Sequence, residues 1–149
     1  MSVPSDFASI SSPLGHLACL SAARTFSVSP ENPTGGKRQG GGAGEGNSSF
    51  CAWNLGVGWK INPFLWIAAG ETITLVDLSG SGTIKQIWMT PTGNYRNTIL
   101  RIYWEDQTSP SIEVPAGDFF ASAYTSFVTF AQISSLAVWV NPGYAFNCY

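Results

Sequence analysis

The acidic side chains that stand close together in the sequence are the first candidates for chemistry. They form two groupings, Glu105 with Asp106 and Glu113 with Asp118. Two carboxyl groups held about 5 to 5.5 Å apart can serve as nucleophile and general acid/base. Neighbouring residues of a strand point to opposite faces, which separates Glu105 from Asp106, and Asp118 follows a Pro-Ala-Gly turn that an aspartate typically orders. No catalytic residue is therefore predicted.

Three further side chains could bind a ligand rather than transform it. Arg101 has a planar fork that can bind several hydroxyl groups, or it can pair with Glu105 or Glu113 across strands. Trp88 and Tyr103 can stack on a ring, although aromatic residues in strands more often belong to the core. The sequence leaves both alternatives open for each residue.

A loop rich in Gly, Pro, Asn and Ser extends over residues 29–49 and carries Glu31, Asn32, Lys37 and Arg38. Loops of this length either serve a site or are disordered, and both interpretations stay open. The loop lacks the Gly-Lys-Ser/Thr ending of a phosphate-binding loop, because Arg38 follows Lys37. Its glycines also lack the spacing of a dinucleotide-binding turn, so neither kind of site is predicted.

Composition excludes several classes of protein. Only 11% of the 149 residues are charged, and seven Lys and Arg with a net charge of −2 cannot form a basic stripe for nucleic acid. No apolar run is long enough to span a membrane. Three cysteines without a Cys-x-x-Cys pair indicate free thiols, and the single His16 supports neither a catalytic triad nor a metal site, so no metal and no cofactor is expected.

These residues must be positioned by short strands, since no helical periodicity competes. Residues 1–23 are predicted to be a disordered leader or a short helix, and the lack of a basic head argues against a secretory signal and favours the cytoplasm. Turn residues recur at intervals of roughly ten to fifteen after Phe50, as in an antiparallel all-β domain. The predicted strands are 58–61, 64–68, 71–78, 82–89, 98–105, 111–114 and 127–140, the last broken near residues 134–135.

Several segments resemble one family in the same order. They are GSGTIKQIWMT at residues 80–90, LRIYW at 100–104, PSIEVPAGDFF at 110–120, the loop sequence ENPTGG at 31–36 and the ending GYAFNCY at 143–149. Together they resemble glycoside hydrolase family 172, formerly domain of unknown function 2961, over residues 24–149. The chain differs from the family in its glycine run, which replaces a more acidic, asparagine-rich loop, and in stopping at Tyr149.

The resemblance implies an antiparallel jelly-roll sandwich over residues 24–149, as one half of a double jelly roll, in a homotrimer or homohexamer. It implies retaining hydrolysis of fructofuranosides or arabinofuranosides. The implied carbohydrate contacts are Glu31, Asn32, Lys37, Arg38, Trp88, Arg101, Tyr103 and Asp118.

The family's pair of catalytic glutamates lies beyond the segment that this chain resembles. The chain is therefore expected to be inactive alone and to contribute loop and aromatic contacts to a pocket that another half or subunit completes. The alternative is a non-catalytic carbohydrate-binding or capsid-like assembly module, with no nucleic acid and no membrane as partner.

Overall fold

A computed structural model describes residues 22–46, 51–92, 95–122, 133–135, 137–141 and 145–148. These residues divide into two compact units on either side of the Ser81–Gly82 bond. We call them the amino-terminal unit, residues 22–81, and the carboxy-terminal unit, residues 82–148. The regular elements, all in the carboxy-terminal unit, are β1 (Ile87–Met89), β2 (Ile99–Ile102), β3 (Ile112–Pro115), α1 (Ala116–Phe119), β4 (Ile133–Ser134), β5 (Val138–Asn141) and β6 (Ala145–Cys148).

Four of the strands form one antiparallel sheet in the order β1-β6-β5-β4. One face of this sheet packs on the core cluster formed by Tyr95, Phe120 and Val140. The partly buried residues on this face or beside it are Ile87, Met89, Phe119, Ile133, Val138 and Cys148. Because side chains alternate along a strand, the residues between them lie on the opposite face of the sheet.

The other two strands, β2 and β3, form an antiparallel pair whose register places Leu100 opposite Val114. Leu100 and Ile102 are partly buried, whereas Ile99 and Arg101 are exposed. The alternation predicted for residues 98–105 is thus confirmed over Ile99–Ile102, and the strand predicted at 111–114 is confirmed with a shift of one residue. Apart from the single turn of α1, the described regular structure is all strand, which confirms the all-β class.

Three predicted strands are wrong. Residues 58–61, 64–68 and 71–78 belong to no strand, and strand 82–89 is shortened to Ile87–Met89. A strand needs a partner for its backbone groups, and alternating apolar residues do not provide one. The backbone hydrogen bond from Glu71 N to Ala68 O instead closes the predicted turn at Ala69 and Gly70.

Other expectations are confirmed in part. The strand predicted at 127–140 is broken after Ser134, as expected, into β4 and β5. Its first residues, like most of the predicted leader, lie outside the described residues. The sequence reading missed β6 and the helical turn α1, because both are four residues long and carry no periodicity that a window can register.

Gly117 provides a test of how α1 fits its surroundings. It is buried, and an added methyl group would lie 3.1 Å from Cβ of Tyr95 and 3.2 Å from the carbonyl oxygen of Ser122. We expect Gly117→Ala to destabilise the chain by about 1–3 kcal/mol, because the crowding outweighs alanine's better helix propensity. Chemical denaturation measures the change, and Gly82→Ala, where the methyl group meets nothing within 4 Å, is the matched control.

Candidate functional site

The candidate residues of the carboxy-terminal unit lie on β1, on β2, just after β2 and on α1. Arg101 and Glu113 are directly opposite each other in the β2–β3 pair, and Nε of Arg101 lies 2.7 Å from Oε2 of Glu113. The hydrogen bond and the charge of Glu113 raise the pKa of Arg101 above its usual value. Of the two carboxylates considered for Arg101, the structure therefore pairs it with Glu113. Both side chains are exposed, so water and salt screen this pair.

Asp118 is engaged in a different ion pair. Nη1 of Arg96 lies 2.8 Å from Oδ1 and 3.2 Å from Oδ2 of Asp118, while the backbone oxygen of Asp118 accepts a hydrogen bond from Ala121 N. The carboxylate thus joins α1 to the segment before β2. This geometry agrees with an aspartate that orders a turn, and it leaves the predicted carbohydrate contact untested.

Trp88 and Tyr103 are not core residues. Trp88 is 54% exposed at the centre of β1, and Tyr103 is 48% exposed just after β2. Their sequence neighbours Ile87, Ile102 and Trp104 line a groove of about 190 Å³. Of the two interpretations of these aromatics, exposure excludes burial in the core and leaves ring stacking available.

The groove beside Ile87, Ile102 and Trp104 was not predicted from the sequence. Its remaining lining residues are Ile84, Lys85, Gln86, Phe119 and Cys148. None of the predicted contacts lines it. At about 190 Å³ it is smaller than the roughly 300–1,000 Å³ of most ligand pockets. Residues from four segments meet there, and only the tertiary fold brings them together.

The predicted contacts of the amino-terminal unit lie on the glycine-rich loop. Asn32 is 9% exposed, and its amide makes two hydrogen bonds with Gly36: Nδ2 donates to the carbonyl oxygen at 2.9 Å, and Oδ1 accepts from the amide nitrogen at 3.0 Å. Between them Gly35 has a φ of 65° and is buried. Asn32 therefore holds the backbone of the loop in a closed turn.

Glu31 connects this turn to a distant part of the same unit. Its Oε1 accepts a hydrogen bond of 2.5 Å from Asn62 N, and Nδ2 of Asn62 donates to the carbonyl oxygen of Pro30 at 3.1 Å. The second oxygen of Glu31, Oε2, is buried and has no hydrogen-bond partner among the described residues. One carboxylate oxygen of Glu31 thus connects the loop to Asn62, and the other makes no hydrogen bond with the described residues.

Lys37 and Arg38 follow the turn and are both exposed. Arg38 has a φ of 63°, a left-handed conformation that is uncommon for a residue with a side chain. Two of the glycines after it lie close to residues 51–62: Gly58 N donates to the carbonyl oxygen of Gly41, and a methyl group on Gly46 would lie 2.6 Å from the oxygen of Trp53. The described part of the loop is therefore packed on residues 51–62.

The acidic residues of the two groupings lie in a turn or in ion pairs. Glu105 and Asp106 lie in a turn with φ values of 53° and 57°, beyond the end of β2. Glu113 and Asp118 each pair with a different arginine. No group of three His, Cys, Asp or Glu side chains converges within the described ranges.

A comparison with known protein families shows which family contains the segment that carries these residues. A family model described as GH172 domain-like matches residues 62–141, which is more than half of the chain. The chain belongs to the GH172 domain-like family. The matched range of this GH172 domain-like chain contains β1 to β5 with Trp88, Arg101, Tyr103 and Asp118, and it begins after the loop that carries the other four predicted contacts.

Two further findings accompany this assignment. The search of curated proteins returned no match to the GH172 domain-like chain. Over the described residues, no helix has both the length and the apolar character that crossing a membrane requires.

Proposed function

We propose that this GH172 domain-like chain is a jelly-roll sandwich portion of a glycoside hydrolase-like protein that acts on furanosides, either fructofuranosides or arabinofuranosides. The observation that carries the proposal is the exposure of Trp88 within the range matched by the family. An indole that is 54% exposed in a sheet offers an apolar face on which the C–H groups of a sugar ring can stack. The two small sheets of the carboxy-terminal unit would be parts of the sandwich.

Arg101 and Tyr103 support the same assignment. Both are exposed, and each has hydrogen-bonding groups that suit hydroxyls. Arg101 uses its Nε in the ion pair with Glu113, and its two Nη groups would donate to a ligand. In the amino-terminal unit, Glu31, Lys37 and Arg38 are proposed as carbohydrate contacts of the glycine-rich loop in their own right, on a turn that Asn32 helps to hold.

The proposal assigns binding, not bond cleavage, to the residues of this chain. Retaining hydrolysis needs two carboxyl groups about 5 to 5.5 Å apart, with one acting as nucleophile and the other as acid/base. Glu113 and Asp118 are held by different arginines, and Glu31 accepts a backbone hydrogen bond from Asn62. We therefore propose that the chain is inactive by itself and contributes to a pocket completed by another domain or by another subunit of a homo-oligomer.

The alternative function is a non-catalytic carbohydrate-binding or capsid-like assembly module. The observation that favours assembly is the apolar surface of the amino-terminal unit. Trp66 is 73% exposed there, and Leu65, Ile67 and Val76 are exposed as well. Apolar side chains at this density usually become covered by a partner. In this case the chain would associate without binding sugar.

Trp88→Ala tests the proposal. We expect the chain to bind methyl and aryl furanosides but not the matched pyranosides, and the variant to bind the furanosides about tenfold more weakly, because the stacking surface is lost. Titration calorimetry gives the affinities, and release of the aryl alcohol reports hydrolysis. Trp59→Ala, which removes an exposed tryptophan outside the apolar surface around Trp66, should leave binding unchanged.

Two results would contradict the proposal in different ways. Hydrolysis of an aryl furanoside by the pure chain would show that a carboxylate pair is present after all. Absence of any furanoside binding, together with a stable oligomer in sedimentation analysis, would favour the assembly module.

A further inference from the structure

The outer face of the four-stranded sheet carries a second tryptophan that none of the sequence patterns indicated. In the register of the sheet, Trp88 of β1 is opposite Asn147 of β6, and Asn147 is opposite Trp139 of β5. The row ends at Ser134 of β4. Trp139 is therefore level with Trp88, two strands away.

Both tryptophans lie on the face directed away from the core. The residues on either side of Trp139, Val138 and Val140, pack in the core cluster, as do Ile87 and Met89 on either side of Trp88. Alternation along a strand turns Trp88 and Trp139 to the opposite face. Trp88 is exposed and Trp139 is partly exposed. The outer face thus carries two aromatic rings in one row.

The spacing of the row suits a ligand longer than one sugar ring. Neighbouring strands lie about 4.8 Å apart, so the backbones of β1 and β5 are about 9.5 Å apart. Backbones at this separation leave room for one sugar ring on each indole, which two rings of one oligosaccharide can occupy together. Tryptophan faces suit the C–H surfaces of such rings.

The charge of the sheet selects the class of ligand. Strands β1, β4, β5 and β6 contain no Asp, Glu, Lys, Arg or His. A polyanion such as nucleic acid needs cationic contacts that this sheet lacks. A neutral ligand loses no ionic hydration on binding here, and a neutral oligosaccharide combines that property with stacking surfaces.

The size of the sheet disfavours a second copy of the chain as the occupant. Four strands span about 14 Å in the hydrogen-bonding direction, and strands of two to four residues are at most about 14 Å long, which gives a face on the order of 200 Å². A stable protein interface buries about 800 Å² on each partner. The face is large enough for a short glycan and too small for a dimer contact by itself.

We propose that Trp88 and Trp139 form a two-ring stacking site for a neutral oligosaccharide on the outer face of the four-stranded sheet. This inference rests on the proposed function for the class of ligand, and it adds Trp139 and a minimum ligand length. Trp88 holds one ring, and Trp139 holds another ring further along the same chain. Recognition by this site depends on the length of the oligosaccharide.

The test compares two ligands with one variant. An arabinofuranosyl or fructofuranosyl trisaccharide and the methyl glycoside of the same sugar are titrated into wild-type chain and into Trp139→Ala. We expect the variant to bind the trisaccharide about tenfold more weakly and the methyl glycoside within about twofold of wild type. Trp59→Ala should leave both affinities unchanged, because it removes an exposed tryptophan that belongs neither to the proposed site nor to the apolar surface around Trp66.

A second measurement keeps the test independent of the variant's folding. In wild-type chain labelled with ¹⁵N, the indole N–H signal of Trp139, assigned through Trp139→Phe, should shift with the trisaccharide and stay in place with the methyl glycoside. A signal that stays in place with a bound trisaccharide overturns the site while the proposed function stands. If wild-type chain binds neither sugar, the proposed function fails as well. Loss of a dimer in Trp139→Ala would overturn the site in favour of a protein contact.

Discussion

Replacing Phe120 by alanine is expected to lower the free energy of unfolding by about 3–5 kcal/mol. Phe120 is fully buried in the core cluster with Tyr95 and Val140, and its ring packs edge-on against Phe119 with the centroids 5.1 Å apart. Truncation removes the buried ring and leaves a cavity between α1 and the four-stranded sheet. Folded domains are stable by only about 5–15 kcal/mol, so this one change removes a large fraction of that stability.

Urea denaturation monitored by tryptophan fluorescence measures this effect. Phe26→Ala makes the same change at a side chain that is 61% exposed, and it should alter the free energy of unfolding by no more than about 0.5 kcal/mol. Equal midpoints for Phe120→Ala and Phe26→Ala would show that Phe120 does not pack in the core cluster as described. The assignment of Tyr95 and Val140 to the same core cluster would then also be wrong.

Replacing Asn32 by alanine is the second large effect, and it acts in the amino-terminal unit. The variant loses both hydrogen bonds to Gly36 and leaves the N–H of that residue without its acceptor, while the carbonyl oxygen keeps the hydrogen bond from Gln39 N. Loss of such partners at a partly buried position costs about 1–3 kcal/mol. We expect the glycine-rich loop to open, and the amide of Gly36 to exchange its hydrogen faster by a factor that corresponds to this free energy.

Hydrogen exchange followed by mass spectrometry or NMR gives the measurement. Asn32→Asp retains an oxygen for the N–H of Gly36 but cannot donate to its carbonyl oxygen, so it should also destabilise the loop. Asn54→Ala, at an exposed position of the same unit, is the matched control. Unchanged exchange at Gly36 in Asn32→Ala would mean that the turn is held by other contacts, and Asn32 would become free to act as a direct ligand contact.

The predicted effects on stability and exchange distinguish residues that stabilise the fold from residues that are available to bind a ligand. Asn32 and Asp118 make internal contacts that fix a turn and a helical end. Trp88 and Trp139 lie on a sheet face whose opposite side is the core. The proposed stacking site therefore lies on strands fixed by core packing, while the loop contacts depend on a turn held by the Asn32 side chain together with backbone hydrogen bonds.

The alternation in residues 98–105 and the break near Ser134 could be predicted because they are local. A period of two positions Leu100 and Ile102 on one face whatever the rest of the chain does. The family resemblance also depended on local motifs, and the match over residues 62–141 supports it. By contrast, residues 64–68 and 71–78 show that apolar strand-forming sequence is not sufficient, since the strands that would pair with them are absent from the described fold.

The sequence by itself determined the all-β class, the family resemblance and the polar face of β2 that carries Arg101, and it left Trp88 open between core and surface. Only the tertiary structure decided that Arg101 pairs with Glu113, that Glu31 accepts a hydrogen bond from Asn62, and that Trp139 stands level with Trp88. Alternation within one strand follows from backbone geometry, which neighbouring residues share. Register between strands and contacts across 31 positions of sequence depend on which segments pair, and that choice is made by packing of the whole chain.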